Sequence, residues 1–511
     1  MTTLTNAPSN LIDGAWKGIG GDGIVSVMPA HPDRVVWSGT SSVGAVHEAI
    51  GAARSALPAW AGTDVSVRIK ALRAFQEIAA ARVDELAGLI SDETGKALWE
   101  SKGEAGLIAS KVDITLEEGE WTGRHRVTDF EFAMGESKVA RCHFRPHGVM
   151  GVVGPFNFPA HLPNGHIVPA LLTGNTIVFK PSDKAPAVGQ MMAEMYQEAL
   201  ERVGAPRGVF NLVHGGVAES IALCGSTDVD GVLFTGSWGA GRAILEANLD
   251  QPGKIIALEM GGNNPAIVMG DADLEQALVE VVRCAFNTTG QRCTSTRRLI
   301  VHESIAEKFI PAVVKVASML VVGDPRAEEP VFMGPIISEQ AREAVFAFER
   351  KAAGSGGRVL LESTGLPGHE GYYVTPSVIE VPRFDVGVDD CGCDEEVFGP
   401  LLRVTTVGSY EEAIEQANAT RYGLSASIFT GDEGLKDRFL REGRAGCLNV
   451  NCGTAGASSK LAFGGLGLSG NHRPAGAFAL DYTAYPVASM IENGDAKGVV
   501  SGMAFDPDWL K

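Results

Sequence analysis

Residues 148–179 read GVMGVVGPFNFPAHLPNGHIVPALLTGNTIVF, without a single Asp, Glu, Lys or Arg. A charge-free run of this length is long enough to span a bilayer. Yet Pro155, Pro159, Pro163 and Pro169, with Gly154, Asn157, Asn164 and Gly165, interrupt any continuous membrane helix. The stretch reads instead as a buried strand over residues 148–153, a helix over 159–172 and a second strand over 176–179. Apolar strands joined through a helix form a parallel unit covered on both faces.

The same alternation continues outward. Helices are expected over residues 187–203, 217–224 and 238–249, and strands over 208–213, 231–234 and 254–258. After Gly261-Gly262 a second series begins, with strands at 265–269 and 298–302 and helices at 272–286 and 305–320. Residues 260–263 are the expected hinge, and no Pro- or Ser-rich linker separates the halves. Upstream, residues 60–118 have helical spacing, as in Val67-Arg-Ile-Lys-Ala-Leu-Arg-Ala-Phe75. The fold class is therefore α/β, with a doubly wound sheet followed by a second α/β domain.

The chain has 511 residues, enough for two to three domains, and a formal net charge of −19 from 43 Lys and Arg against 62 Asp and Glu. That balance argues against nucleic-acid or anionic-membrane partners, which require a basic footprint. Eight cysteines in a chain of this length are too sparse for a disulfide framework and read as thiols. Met1 to Asn10 has neither basic residues nor an apolar run, so no signal or transit peptide is expected and the predicted location is the cytoplasm.

A doubly wound sheet binds ligands beyond the carboxyl ends of its strands. The G-x-G-x-x-G motif is absent from the first strand–helix turn, but Thr235-Gly-Ser-Trp-Gly-Ala-Gly241 opens a helix after a strand. Its N–H groups suit a pyrophosphate, although by itself the turn is equally a tight connection. Lys180 and Asp183 follow the strand at 176–179, where a cation and an acid suit a ribose or phosphate; a solvated charge pair is the alternative.

Cys293, in Gly290-Gln-Arg-Cys-Thr294, lies in a polar loop beside Arg292, which favours thiolate, whereas Cys224, Cys284 and Cys447 sit in apolar runs and read as packing. Glu259 ends an apolar strand at the interdomain turn. It is a candidate general base, with a cap or an interdomain ion pair as the other reading. Cys391-Gly-Cys393 lacks the further ligands that zinc requires, and His161 and His166 are five residues apart on one helix, so no metal site is expected.

Six segments then occur together: Phe156-Asn-Phe-Pro159, Phe179-Lys-Pro-Ser182, Phe234-Thr-Gly-Ser237, Leu258-Glu-Met-Gly-Gly262, Gly290-Gln-Arg-Cys293 and Glu396-Val-Phe-Gly-Pro400. In order and spacing they resemble the aldehyde dehydrogenase superfamily over nearly the whole chain. Residues 161–171, 261–265 and 469–474 carry a narrower likeness, to members acting on a semialdehyde that bears two carboxylates.

The resemblance implies an NAD-dependent oxidoreductase with a Rossmann-type cofactor domain (1–124 and 146–258), a catalytic domain (259–478) and a small β oligomerisation element (125–145 and 479–492) that makes a homodimer or homotetramer. It makes Cys293 the nucleophile, Asn157 and the Cys293 N–H the oxyanion donors, and Glu259 the base for thioester hydrolysis. Gly154, Pro155, Phe156, Asn157, Lys180, Asp183, Gly236, Ser237, Trp238, Gly239, Ala240, Gly241, Glu396 and Phe398 would hold the cofactor. Asp183 stands where the family more often has Glu, and an acid there repels a 2′-phosphate. Arg292, Arg473 and His472, with Arg124 and Arg126, are candidates to bind substrate carboxylates. Other aldehydes remain open as substrates, since specificity resides in pocket side chains. The retained Glu259 disfavours a CoA acceptor. Asn157, Glu259, Cys293 and Glu396 occurring together disfavour an inactive binding homologue.

Overall fold

The computed structural model describes residues 4–117, 119, 122–387, 390–456, 458–494 and 498–511; of the N-terminal segment read above, residues 1–3 lie outside the described residues. Two seven-stranded sheets form its body. In the first, Ile255–Met260, Gly231–Gly236, Val149–Val153, Thr176–Lys180 and Phe210–Leu212 run parallel in that order, and Ser9–Ile12 and Ala15–Gly18 add antiparallel to the far edge. In the second, Ser377–Glu380, Leu401–Val407, Thr296–His302, Asn264–Val268, Ser425–Phe429 and Cys447–Val450 are parallel, with Arg358–Leu361 antiparallel at one edge.

Strand periodicity explains why these runs are apolar throughout. Met150 and Val152 enter one core of the first sheet, while Val149 and Val153 enter the core on its opposite face. Ile267 and Ile300 likewise face one core of the second sheet, and Ala266, Val268, Leu299 and Val301 the other. The expected helix over 159–172 is observed as His161–Leu172 and the expected strand over 254–258 as Ile255–Met260, so Glu259 lies within a strand of the first sheet. Residues 261–263 then pass directly into Asn264–Val268 of the second.

The N-terminal elements before residue 60 were not read from sequence. Ser9–Ile12 and Ala15–Gly18 form a hairpin through Asp13 and Gly14, both at positive φ (52° and 70°), the geometry that an Asp-Gly turn favours. Val43–Ala61 is a helix capped by Ser42 despite Pro58 in its last turns. It precedes Val65–Ala81, Val83–Thr94 and Leu98–Leu116, which make up the expected helical region.

A third sheet orders Ala484–Glu492, Lys138–Pro146 and Phe130–Ala133, all antiparallel. The late strand of the expected oligomerisation element is paired within the chain, with Ala484 opposite Pro146 and Glu492 opposite Lys138. The sheet keeps open outer edges, and Phe130 and Phe132 on one of them are exposed. No described helix is long and apolar enough to cross a membrane.

The helices cover the first sheet through an aromatic stack. Phe75 lies 4.0 Å from Tyr196, which lies 4.8 Å from Phe210, and all three are buried. Phe75→Ala should destabilise the protein by about 3–5 kcal/mol, read from the urea unfolding midpoint. A loss below about 1 kcal/mol would mean that the site collapses around the cavity.

Candidate active site

In the first sheet the chain order reverses at Val149–Val153: the two strands that follow it in sequence extend to one side, and the later pair to the other. A crevice opens at such a switch point beyond the strand ends. Residues 154–157 leave the central strand there, with the Gly154 N–H donating to the Lys180 carbonyl at 3.0 Å. Residues 236–241 leave the neighbouring strand. Ser237 caps the helix Trp238–Ala247 by accepting from the Ala240 N–H at 3.3 Å, and Ser237, Gly239 and Ala240 are exposed.

Lys180 is only 4% exposed; burial lowers its pKa and its Nζ donates to the Pro181 carbonyl at 3.0 Å. Asp183 and Lys184 stand at the rim of a cavity of about 360 Å³, walled by residues 215–219 and by Ile24, Val25 and Thr40. Its volume falls in the range of small-molecule sites. A pyrophosphate-bearing nucleotide fits the arrangement, with an exposed capped helix start for the phosphates and an acid-rimmed cavity for a ribose.

The second centre lies where the two sheets meet. Glu259 pairs in register with Thr235 and is 1% exposed. Asn471 grips its strand, accepting from the Leu258 N–H at 2.8 Å and donating from Nδ2 to the Ile256 carbonyl at 2.9 Å. Neither Glu259 carboxylate oxygen has a full hydrogen-bond partner among the described residues. Burial pushes its pKa up to about 8, against a lowering by the nearby Cys293 thiol and with a further rise from the Glu396 charge.

Cys293 follows the tight turn Asn287–Gly290 and is fixed by its backbone. Asn264 Nδ2 donates to the Cys293 carbonyl at 2.7 Å and to the Ser295 carbonyl at 2.8 Å. Asn157 arrives from the other sheet, donating from Nδ2 to the Gln291 carbonyl at 2.9 Å. An amide carries a second N–H, and a donor of that kind can stabilise an oxyanion.

Glu396 docks on the interdomain turn, accepting from the Gly262 N–H at 3.0 Å. A Cβ at Gly261 would lie 1.7 Å from the Glu396 carboxylate, and one at Gly262 would lie 2.5 Å from the Cys293 carbonyl oxygen, so only glycine fits either position. Burial raises the Glu396 pKa and buried Arg297 opposes that shift; Arg297 also donates to the carbonyls of Gly399 and Arg292, each at 3.0 Å. Phe398 meets Phe156 edge to face at 5.9 Å.

One expectation needs correction, and the partners of the other candidate residues can be placed. Arg292 does not make Cys293 a thiolate. Burial first, then the Glu259 charge, pushes the thiol well above its ordinary range, and the opposing pull of Arg292 is smaller than either. The Arg292 side chain is held by Glu100 at 2.8 Å and by Thr288 Oγ1 at 2.8 Å. Arg126 forms a two-pronged pair with Asp481 and lies over the Phe478 ring at 3.8 Å. Arg473 donates to the Gly465 carbonyl at 2.9 Å, and both it and His472 adopt left-handed backbone (φ 54°).

The Cys391 and Cys393 thiols donate to the carbonyls of Ser355 and Arg383. His166 pairs with the Tyr482 hydroxyl at 2.6 Å. Among the described residues no His, Cys, Asp and Glu group is arranged to hold a metal.

Asn264, Asn471, Arg297 and Glu100 were not singled out from sequence. Asn263-Asn264 opening an otherwise apolar strand was the available signal, since a buried amide needs several partners.

Repulsion between Glu259 and the Cys293 thiolate is testable. Glu259→Gln should speed iodoacetamide alkylation of Cys293 severalfold at pH 8.5, because the neighbouring negative charge is removed. Slower alkylation, followed by mass spectrometry, would mean that Glu259 draws the thiol proton instead.

The chain matches the aldehyde dehydrogenase family over residues 18–486. It is 44% identical to N-succinylglutamate 5-semialdehyde dehydrogenase 2 of Caulobacter vibrioides, over 94% of this chain and 95% of that one. It is 45% identical to N-succinylglutamate 5-semialdehyde dehydrogenase of Caulobacter sp. strain K31, over 96% and 98%. Among solved structures it is similar to an NAD-dependent aldehyde dehydrogenase from Sinorhizobium meliloti, with a TM-score of 0.88 and 30% identity over 97% of this chain and 96% of that one. A Rossmann-like cofactor domain joined to an α/β catalytic domain is thus the architecture shared with these relatives, and this protein belongs to the aldehyde dehydrogenase family.

Proposed function

We propose that the protein oxidises N-succinylglutamate 5-semialdehyde to N-succinylglutamate with NAD, as a step of arginine breakdown in the cytoplasm. The names and near-complete coverage of its relatives support the substrate. The observation that carries the chemistry is a buried Glu259 carboxylate beside the Cys293 thiol, its oxygens bonded to no backbone donor or cation among the described residues.

In this reading Cys293 Sγ bonds to the aldehyde carbon, and its proton leaves the Cys293–Glu259 pair. The resulting alkoxide of the thiohemiacetal is held by Asn157 Nδ2 and the Cys293 N–H. A nicotinamide bound at the site supplies the hydride acceptor. The thioester that follows is hydrolysed by a water whose proton passes to a Glu259 oxygen, and a carboxylate tuned near neutral pH is suited to that transfer. Covalent capture splits one difficult oxidation into two easier steps.

For the cofactor, Glu396 and Phe398 orient the nicotinamide ribose and ring, residues 154–157 and 236–241 line the pyrophosphate, and Lys180 and Asp183 take the adenosine ribose. Asp183 at the cavity rim disfavours a 2′-phosphate, hence NAD over NADP. The first sheet with its helices serves as the cofactor domain and the second as the catalytic domain. The open-edged third sheet joins subunits into a dimer or tetramer.

Three measurements test this. kcat should rise with pH through about 8, because Glu259 works as the base only once its raised pKa is passed, and Glu259→Gln should lack that limb. kcat/KM for the dicarboxylate semialdehyde should exceed that for an uncharged aldehyde; equal values would defeat the substrate assignment. Asp183→Ser should shift the NADP-to-NAD kcat/KM ratio upward, and an unchanged ratio would remove Asp183 from cofactor discrimination.

A further inference from the structure

Glu100 and Glu104 sit one turn apart on the helix Leu98–Leu116, so both face one side of it. Their side chains are 1% and 0% exposed, deep enough to be costly unless fully partnered. Their partners divide cleanly. Glu100 accepts from the Thr288 N–H at 2.9 Å, the Thr288 hydroxyl at 2.9 Å and Arg292 Nη2 at 2.8 Å. All three belong to the turn that presents Cys293. Glu104 accepts from the N–H groups of Ala160 at 3.1 Å and His161 at 3.2 Å, and pairs with Lys96. Those two N–H groups begin the helix His161–Leu172, directly after the Asn157 loop.

Between the carboxylates, the Phe158 ring is flanked by two cations, with Lys96 Nζ 3.8 Å and Arg292 Cζ 5.1 Å from its centroid. Phe158 adjoins Asn157, so the loop is held by its ring as well as by its backbone. The Cys293 turn also requires restraint, because Thr288 and Thr289 are β-branched residues in left-handed backbone (φ 55° each).

We propose that Glu100 and Glu104 are positioning residues. Through one rigid helix face, Glu100 sets the nucleophile turn and Glu104 sets the oxyanion loop, and together they fix the spacing of Cys293 and Asn157. Arg292 and Lys96 are the counter-ions of this clamp. The proposal rests on the roles given above to Cys293 and Asn157. It extends the site to an N-terminal helix that touches neither substrate nor cofactor.

The test separates the two arms. Glu104→Gln, and the charge-matched pair Lys96→Met/Glu104→Gln that leaves no unpaired lysine, should lower kcat about ten- to hundredfold, the scale of a misplacement near 1 Å. Both should leave iodoacetamide alkylation of Cys293 within about twofold of the parent, since the oxyanion loop moves and the nucleophile turn does not. Glu100→Gln should alter the alkylation rate as well as kcat. Folded variants with parental kcat would overturn the proposal. So would a Glu104 variant that changes alkylation as much as Glu100→Gln, because the helix would then be merely structural. Cys293→Ser is the control for the underlying reading: persistent NAD-linked turnover would remove Cys293 as nucleophile whatever the clamp variants do.

Discussion

The structure turns on a close approach at residues 261–262, where the chain crosses from one sheet to the other with no room for a side chain. The Glu396 carboxylate lies against Gly261 and the Cys293 carbonyl against Gly262. Two groups from distant parts of the second domain thereby reach the end of the Glu259 strand. The next two residues secure the crossing. Asn263 Nδ2 donates to the Cys393 carbonyl at 2.8 Å, its Oδ1 accepts from Arg403 at 2.8 Å, and its carbonyl accepts from Arg298 Nε at 2.8 Å. Asn264 ties the Cys293 and Ser295 carbonyls and accepts from the Ser425 N–H at 3.0 Å. Four residues therefore place Glu259, Cys293 and the Glu396 loop relative to one another.

The electrostatics around this crossing are uneven in a useful way. Arg298 and Arg403 are register neighbours on adjacent strands, both wholly buried, and burial lowers their pKa to about 9 and about 10. Most of their hydrogen bonds go to main-chain carbonyls, so they fasten backbone and leave the two active-site carboxylates to other partners. Glu396 has Arg297 and the Gly262 N–H to hold its charge; Glu259 has neither. Burial raises the pKa of both acids, and only Glu396 has a cation and a backbone N–H opposing that rise.

What was legible in the sequence followed from chemistry that acts locally. Continuous apolar strands, helix periodicity and glycine-rich turns place most elements of residues 148–302, because burial on both faces of a parallel sheet demands such runs. Cys293 and Glu259 stood out because a thiol in a polar loop and an acid ending an apolar strand conflict with their surroundings. The Asp13-Gly14 hairpin was equally legible and went unread. The state of the thiol was not legible, because Arg292 adjoins Cys293 in sequence while its guanidinium turns to Glu100, far away in the chain. Asn471 could not be assigned either: its motif, Ser469 to Pro474, carried only a likeness to related sequences, whereas its amide grips the Glu259 strand and Ser469 Oγ donates to the Gly261 carbonyl at 2.7 Å.

The turn before Cys293 shows why such long-range partners matter. Two consecutive left-handed threonines cost roughly 1–3 kcal/mol each, and that conformation persists only where surrounding contacts overdetermine it. The contacts are unusually complete. Glu100 takes both Thr288 donors, the Thr289 hydroxyl donates to the Gly334 carbonyl at 2.9 Å, and Gln291 Oε1 accepts from the Ile337 N–H at 3.0 Å. These partners come from an N-terminal helix and from a loop of the second domain, so neither domain alone determines the turn. The strained presentation of Cys293 is therefore a property of the assembled pair of domains. A cysteine loop of the same sequence, released from Glu100 and Gly334, has no reason to keep its thiol beside Glu259.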